Sequence, residues 1–178
     1  MKVLVAGVGN VLRGDDGFGV SVARRLASAE LPAGVRVVDT GIGGIALVHE
    51  LYGSWDALVV LDAIDRGRPP GTVMLITPEV IDVGLLGLAE RHDMLADMHL
   101  ATPARVLMLA RALGILPPRV VVLGCQPETT ELAPGQLSAP VIKAVEVAAA
   151  EVMRLVSSGQ WPDESQRSPG QRSPGLDR

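Results

Sequence analysis

Three groups of residues in this chain have the chemistry to hold a divalent cation. They are Asp15-Asp16, Asp62, and a histidine, His99 or His92. Two carboxylates and an imidazole suit an ion of intermediate hardness. Each group also has a plainer reading. An Asp just ahead of a helix ordinarily caps free N–H groups, and for Asp15 the cap is the favoured assignment. For Asp16 the residue pattern leaves cap and ligand evenly balanced. Asp62 closes an apolar run and could simply open a turn with Asp65 and Gly67. His92 and His99 flank an acidic stretch, and either could be a solvated loop residue.

Other chemistry is weaker or missing. Gly7-Val8-Gly9-Asn10-Val11-Leu12 resembles the start of a dinucleotide fingerprint, with Asp39 where a ribose-binding acid would stand. Leu12 occupies the place of the third glycine, which permits close helix–strand packing. Two carboxylates in the same loop would also repel a pyrophosphate. His49-Glu50 begins like a zinc-protease motif, but Gly53 stands where the second histidine belongs. No G-x-S-x-G elbow or Walker loop occurs. Cys125 with His99 as base is a conceivable nucleophilic pair, although a small buried residue at a strand end is the commoner role for such a cysteine.

The elements that must position these groups follow from hydrophobic pattern. Lys2–Val8, Val35–Asp39, Ala57–Asp62 and Arg119–Gly124 are short apolar runs, read as strands. Phe18, Val22 and Leu26 recur at helical spacing, and further helices are expected near Ile45–Leu51, over Pro103–Leu113 with proline in the first turn, and over Pro140–Val156. Only nine residues, Ala63 to Gly71, separate the third strand from a run at Thr72–Thr77. A parallel crossover needs about a dozen or more, so this strand is expected to run antiparallel to the third, at an edge. The fold class is therefore α/β: a single-domain three-layer α/β/α sandwich with a mostly parallel sheet of about five strands and one antiparallel edge strand. In such sheets ligands sit beyond the C-terminal strand ends. Asp16, Asp62 and His99 all fall on that edge, as does Cys125.

Composition agrees. The chain has 178 residues, enough for one domain, with 48% hydrophobic residues but only 2% aromatic. The core must therefore be built from Val, Leu, Ile and Ala, as in buried parallel sheets. A net charge of −4, with no basic cluster interleaved with aromatics, argues against nucleic acid. One cysteine cannot form an internal disulfide, and no run approaches the ~20 apolar residues of a membrane span. A cytoplasmic location without membrane attachment is expected. The domain is expected over 1–156 and a low-complexity tail over 157–178. There Gln166-Arg167-Ser168-Pro169-Gly170 repeats as Gln171-Arg172-Ser173-Pro174-Gly175, and residues 159–178 are expected to be disordered, with nothing apolar to bury.

The stretch Val5-Ala6-Gly7-Val8-Gly9-Asn10-Val11-Leu12-Arg13-Gly14-Asp15-Asp16-Gly17-Phe18-Gly19 resembles the N-terminal signature of the hydrogenase maturation endopeptidases. The resemblance continues through Asp39-Thr40-Gly41, Asp62-Ala63, the histidine before a helix, Gly124 with Pro127-Glu128, and Gly135-Gln136-Leu137-Ser138. It covers roughly residues 2–156, in order. It implies an α/β/α fold and three nickel-contacting residues, which carry over to Asp16, Asp62 and His99. His99 is preferred to His92 because it precedes Thr102-Pro103 at the right distance. The resemblance further implies an endopeptidase with no Ser or Cys nucleophile and no organic cofactor. Its partner would be a nickel–iron hydrogenase large-subunit precursor, which brings its own nickel and loses a short C-terminal peptide. The alternatives are a maturation chaperone that binds nickel or the precursor without cutting it, and a nucleotide-binding α/β protein.

Overall fold

The computed structural model describes residues 1–42, 44–85, 87 and 102–162. The strands are β1 (Val3–Val8), β2 (Val35–Gly41), β3 (Ala57–Ala63), β4 (Val73–Ile76) and β5 (Arg119–Cys125). The helices are α1 (Phe18–Ala27), α2 (Gly44–Leu51), α3 (Pro103–Ala112) and α4 (Ala139–Ser158). Short 3-10 turns cover Gly14–Gly17 and Val83–Leu85. The order across the sheet is β2-β1-β3-β5-β4. The first four strands in that order pair in parallel, and β4 pairs antiparallel with β5. β4 is thus the antiparallel edge strand expected from its short connection, with β5 rather than β3 as its hydrogen-bonded neighbour.

Strand side chains alternate between faces, and this divides the core in two. Val3, Val5, Val59, Leu61 and Leu123 pack against α1 and α4, through residues such as Phe18, Leu26 and Val152. Leu4, Ala6, Leu58, Val60 and Val122 pack on the other face against α2 and α3, through Leu47, Leu51 and Leu107. Both faces are covered, which is why the central strands β1 and β3 read as unbroken apolar runs.

The turn from β1 into α1 depends on close backbone approach. A Cβ at Gly19 would collide with the carbonyl oxygens of Leu61 and Val8, and one at Gly7 would collide with the Gly19 carbonyl. The tight helix–strand packing that the missing third glycine would permit in a dinucleotide fold is supplied here by Gly7 and Gly19. The start of α1 is thereby pressed onto the ends of β1 and β3.

Two expectations change at the C-terminus. Helix α4 runs two residues beyond Val156, and Trp161 is partly buried against the α1/α4 side of the core. An apolar side chain is therefore partly buried past residue 158, because an indole that follows the helix end still packs against this part of the core. Its N–H is buried without an acceptor among the described residues. The repeated segment at 166–175 lies outside the described residues. Among the described residues no helix is long and apolar enough to cross a membrane.

Candidate metal-binding site

Parallel pairing brings the C-terminal ends of β1, β2, β3 and β5 to one edge. The 3-10 turn Gly14–Gly17 lies against β3 there. Gly9 makes this possible: its φ is +136°, and a Cβ would collide with the Asp16 carbonyl oxygen. The Asp16 side chain folds back so that Oδ2 accepts the Asn10 N–H at 3.0 Å. Asp62, paired in register with Gly124 near the end of β3, is partly buried at the same edge. Burial pushes its carboxyl up to about 7, the neighbouring Asp16 carboxylate adds to the shift, and the Ala63 amide pulls the other way. Two carboxylates from separate segments therefore sense each other at the strand ends. Like charges held together in this way favour a proton or a cation between them.

Asp15 does not cap a helix. The N-cap of the 3-10 turn is Arg13 and that of α1 is Gly17, neither making a side-chain cap. Asp15 is fully buried and faces the loop between β5 and α4. Its oxygens accept N–H groups from Ser138 at 2.7 Å, Glu128 at 2.8 Å and Thr129 at 3.2 Å, and the Ser138 hydroxyl at 2.8 Å. Burial alone would raise its pKa, but the bonds from Ser138, Glu128 and Thr129 outweigh it and hold the carboxyl below the usual range. The helix-cap expectation fails because these donors lie more than a hundred residues away in sequence.

His99 and His92 lie outside the described residues. Helix α3 does begin as expected, with Thr102 extended at the N-cap and proline in the first turn. Among the described residues no group of three or more His, Cys, Asp or Glu converges as a metal cluster. The described part of the site is the Asp16/Asp62 pair.

The other candidates are occupied. Cys125 is fully buried, its thiol donates to the Gln126 carbonyl at 3.6 Å, and burial with the nearby Asp15 charge pushes its pKa up to about 11. A thiol so protonated is a poor nucleophile. Asp39 pairs with Arg24 at 3.0 Å and accepts the Gly41 N–H, so it is not poised for a ribose. The Asn10 amide that might greet a pyrophosphate already serves Asp16.

Sequence reasoning missed Gln126. It is 5% exposed, and its Oε1 accepts the Arg66 and Arg68 amides at 2.7 and 3.1 Å while Nε2 donates to Asp65 and the Pro127 carbonyl. It shapes the β3–β4 loop, which leaves the sheet just past Asp62. The one available signal was an uncharged polar residue directly after a buried strand.

Comparison with known proteins identifies the fold and the family. A family model described as hydrogenase maturation protease matches residues 20–155. The chain is 38% identical to the hydrogenase expression/formation protein HupD of Rhodobacter capsulatus over 154 residues, 86% of this chain and 70% of that one. It is 37% identical to HoxM of Cupriavidus necator over 145 residues, 81% and 68% of the two chains. The hydrogenase maturating endopeptidase HybD from E. coli superposes with a TM-score of 0.70 at 30% identity, covering 89% of this chain and 94% of that one. A hydrogenase 2 maturation peptidase from a Thaumarchaeota archaeon gives 0.63 at 35% identity, covering 89% and 99%. With a shared fold, matching sequence over most of its length, and a family match running from α1 through α4, the chain belongs to the hydrogenase maturation protease family.

Proposed function

We propose that the protein is an endopeptidase that removes the C-terminal extension of a nickel–iron hydrogenase large-subunit precursor, and that it recognises the nickel the precursor carries. The observation that supports this reading best is the pairing of Asp16 and Asp62. Both reach the C-terminal sheet edge, and their mutual repulsion makes the pair a better host for a cation than for two free charges. Asp16 reaches the site from the 3-10 turn and Asp62 from the end of β3, and His99 is the proposed third ligand. Three ligands with an open face bind an ion weakly until the substrate's own ligands complete its coordination. Discrimination between nickel-loaded and nickel-free precursor follows from that requirement alone. When bound, such an ion supplies a Lewis acid for the scissile carbonyl or an attacking water. The chain's own residues hold the substrate's metal and so place the bond beside it.

The test is to incubate the protein with nickel-loaded and nickel-free precursor and measure intact mass. Loss of a C-terminal peptide from the loaded form only is expected. Tight binding with no mass change would point instead to a non-proteolytic chaperone, and equal cutting of both forms would remove nickel recognition.

A further inference from the structure

Four large aliphatic side chains stand in solvent around the Asp16 turn. Leu12 is 52% exposed, Leu132 79%, Ile42 71% and Ile45 66%. Single exposed apolar residues are ordinary, but a contiguous group rimmed by polar atoms marks a binding surface. These four come from three chain segments that the backbone gathers at one edge. Arg13 forms a parallel bridge with Ala133, and Leu12 and Leu132 each stand one residue before that bridge, as neighbours across it. On the other side, the Gly9 amide donates to the Gly41 carbonyl at 2.9 Å, which brings Ile42 beside the Gly9–Asn10 turn. Ile45 follows in the first turn of α2. Between the two pairs lies Asn10, whose N–H holds the Asp16 carboxylate.

The leucine side of this rim is built to keep its shape. The Ala133 N–H donates to the Leu12 carbonyl at 3.0 Å and the Gly135 N–H to the Val11 carbonyl at 2.8 Å. Beneath them the buried Asp15 fixes Glu128, Thr129 and Ser138. A preordered apolar surface loses little conformational freedom when it is covered.

We infer that Leu12, Leu132, Ile42 and Ile45 form a docking rim for an extended apolar stretch of the precursor next to the bond that is cut. This rests on the peptidase reading of the Asp16/Asp62 site. The rim borders that site through Asn10, so a chain whose metal sits at the carboxylates has these side chains within reach. The two carboxylates disfavour an acidic segment there, whereas an apolar, uncharged segment meets matching side chains. A second copy of this chain is a poorer occupant. Four side chains cover only part of the ~800 Å² per partner that a stable association needs, but they suffice to seat a peptide whose main anchor is a metal.

The test uses the full chain with Leu12→Ser/Leu132→Ser and Ile42→Ser/Ile45→Ser as double variants. Two readouts are taken with nickel-loaded large-subunit precursor: Kd for binding and steady-state processing. Each double variant is expected to raise Kd and KM by about tenfold or more, from lost apolar burial. The expected kcat and melting temperature are those of the parent. Unchanged Kd and KM in both variants would overturn the rim. So would a parent dimer, seen by sedimentation, that the substitutions make monomeric. If the parent binds precursor without shortening it, the peptidase reading fails while the Kd comparison still decides the rim; if it does not bind precursor, both fall.

Discussion

At the residue scale, Asp15 and Asp62 respond to pH in opposite senses. Asp62 has its carboxyl raised to about 7 in the fold, above the unfolded value of ~3.9. The folded state then binds the proton more tightly, so this group's contribution is fully favourable below about pH 4 and is lost as pH rises through about 7. Asp15, held below its ordinary value, contributes stability at neutral pH that is lost as pH falls through its folded pKa. Asp62→Asn should therefore raise the melting temperature of the metal-free protein at pH 8, by roughly 2–4 °C per kcal/mol relieved. The gain should shrink toward pH 4. A series of thermal melts from pH 4 to 8 checks this, and equal parent and variant curves at pH 8 would show that the site is not strained. The histidines give a second prediction. His99→Ala should lose precursor processing, whereas His92→Ala, between Arg91 and Asp93, should keep most of it. The reverse pattern would move the proposed third ligand to His92. The position of Asp16 and Asp62 at the C-terminal sheet edge was legible in the sequence, because Asp62 closes an apolar run and Asp16 lies in the loop that follows the first one. The role of Asp15 was not, since its donors belong to a loop that meets it only in the folded state.

At the element scale, the Asp15 contacts join the β1–α1 loop to the β5–α4 loop, and they carry a prediction of their own. Asp15→Ala would leave three N–H groups and the Ser138 hydroxyl without their acceptor. Losing charge-assisted bonds of this kind costs about 2–4 kcal/mol, or roughly 4–16 °C for a domain of this size. Ser138→Ala removes only the hydroxyl bond and should cost about 1 kcal/mol. Differential scanning fluorimetry on both variants checks the order, and equal effects would mean that the backbone donors find other partners. Helix and strand positions were largely legible from apolar spacing, and the edge position of β4 from its short connection. The identity of its neighbour was not, because a nine-residue link can pass over one strand end and pair with the next. The contribution of Gln126 was equally hidden: its four partners lie in loops with no periodic pattern.

At the scale of the whole molecule, one sheet with both faces covered explains the aromatic-poor, aliphatic-rich composition. The strands carry two alternating apolar sets, one for each helical layer, and a continuous run is what those interleaved sets look like in sequence. The C-terminal boundary was harder to read, since one indole beyond the last helix has no periodicity to reveal it. Trp161→Ala should lower the melting temperature by several degrees through lost packing against the core. Removing residues 163–178, with the Gln-Arg-Ser-Pro-Gly repeats, should leave it unchanged. Melts of the two variants separate the docked residue from the repeats, and a large loss on truncation would assign the repeats a structural part.

The proposed function has one central claim: charge at Asp16 and Asp62 acts on a cation brought by the substrate. Asn at either position keeps the shape and hydrogen-bonding capacity of the side chain while removing the charge a metal needs. The most direct measurement is the intact mass of nickel-loaded precursor after incubation with parent, Asp16→Asn and Asp62→Asn, with circular dichroism confirming the fold of each. The account predicts a shortened C-terminus with the parent and full-length precursor with both variants. Shortening at the parent rate by Asp16→Asn or Asp62→Asn would contradict it.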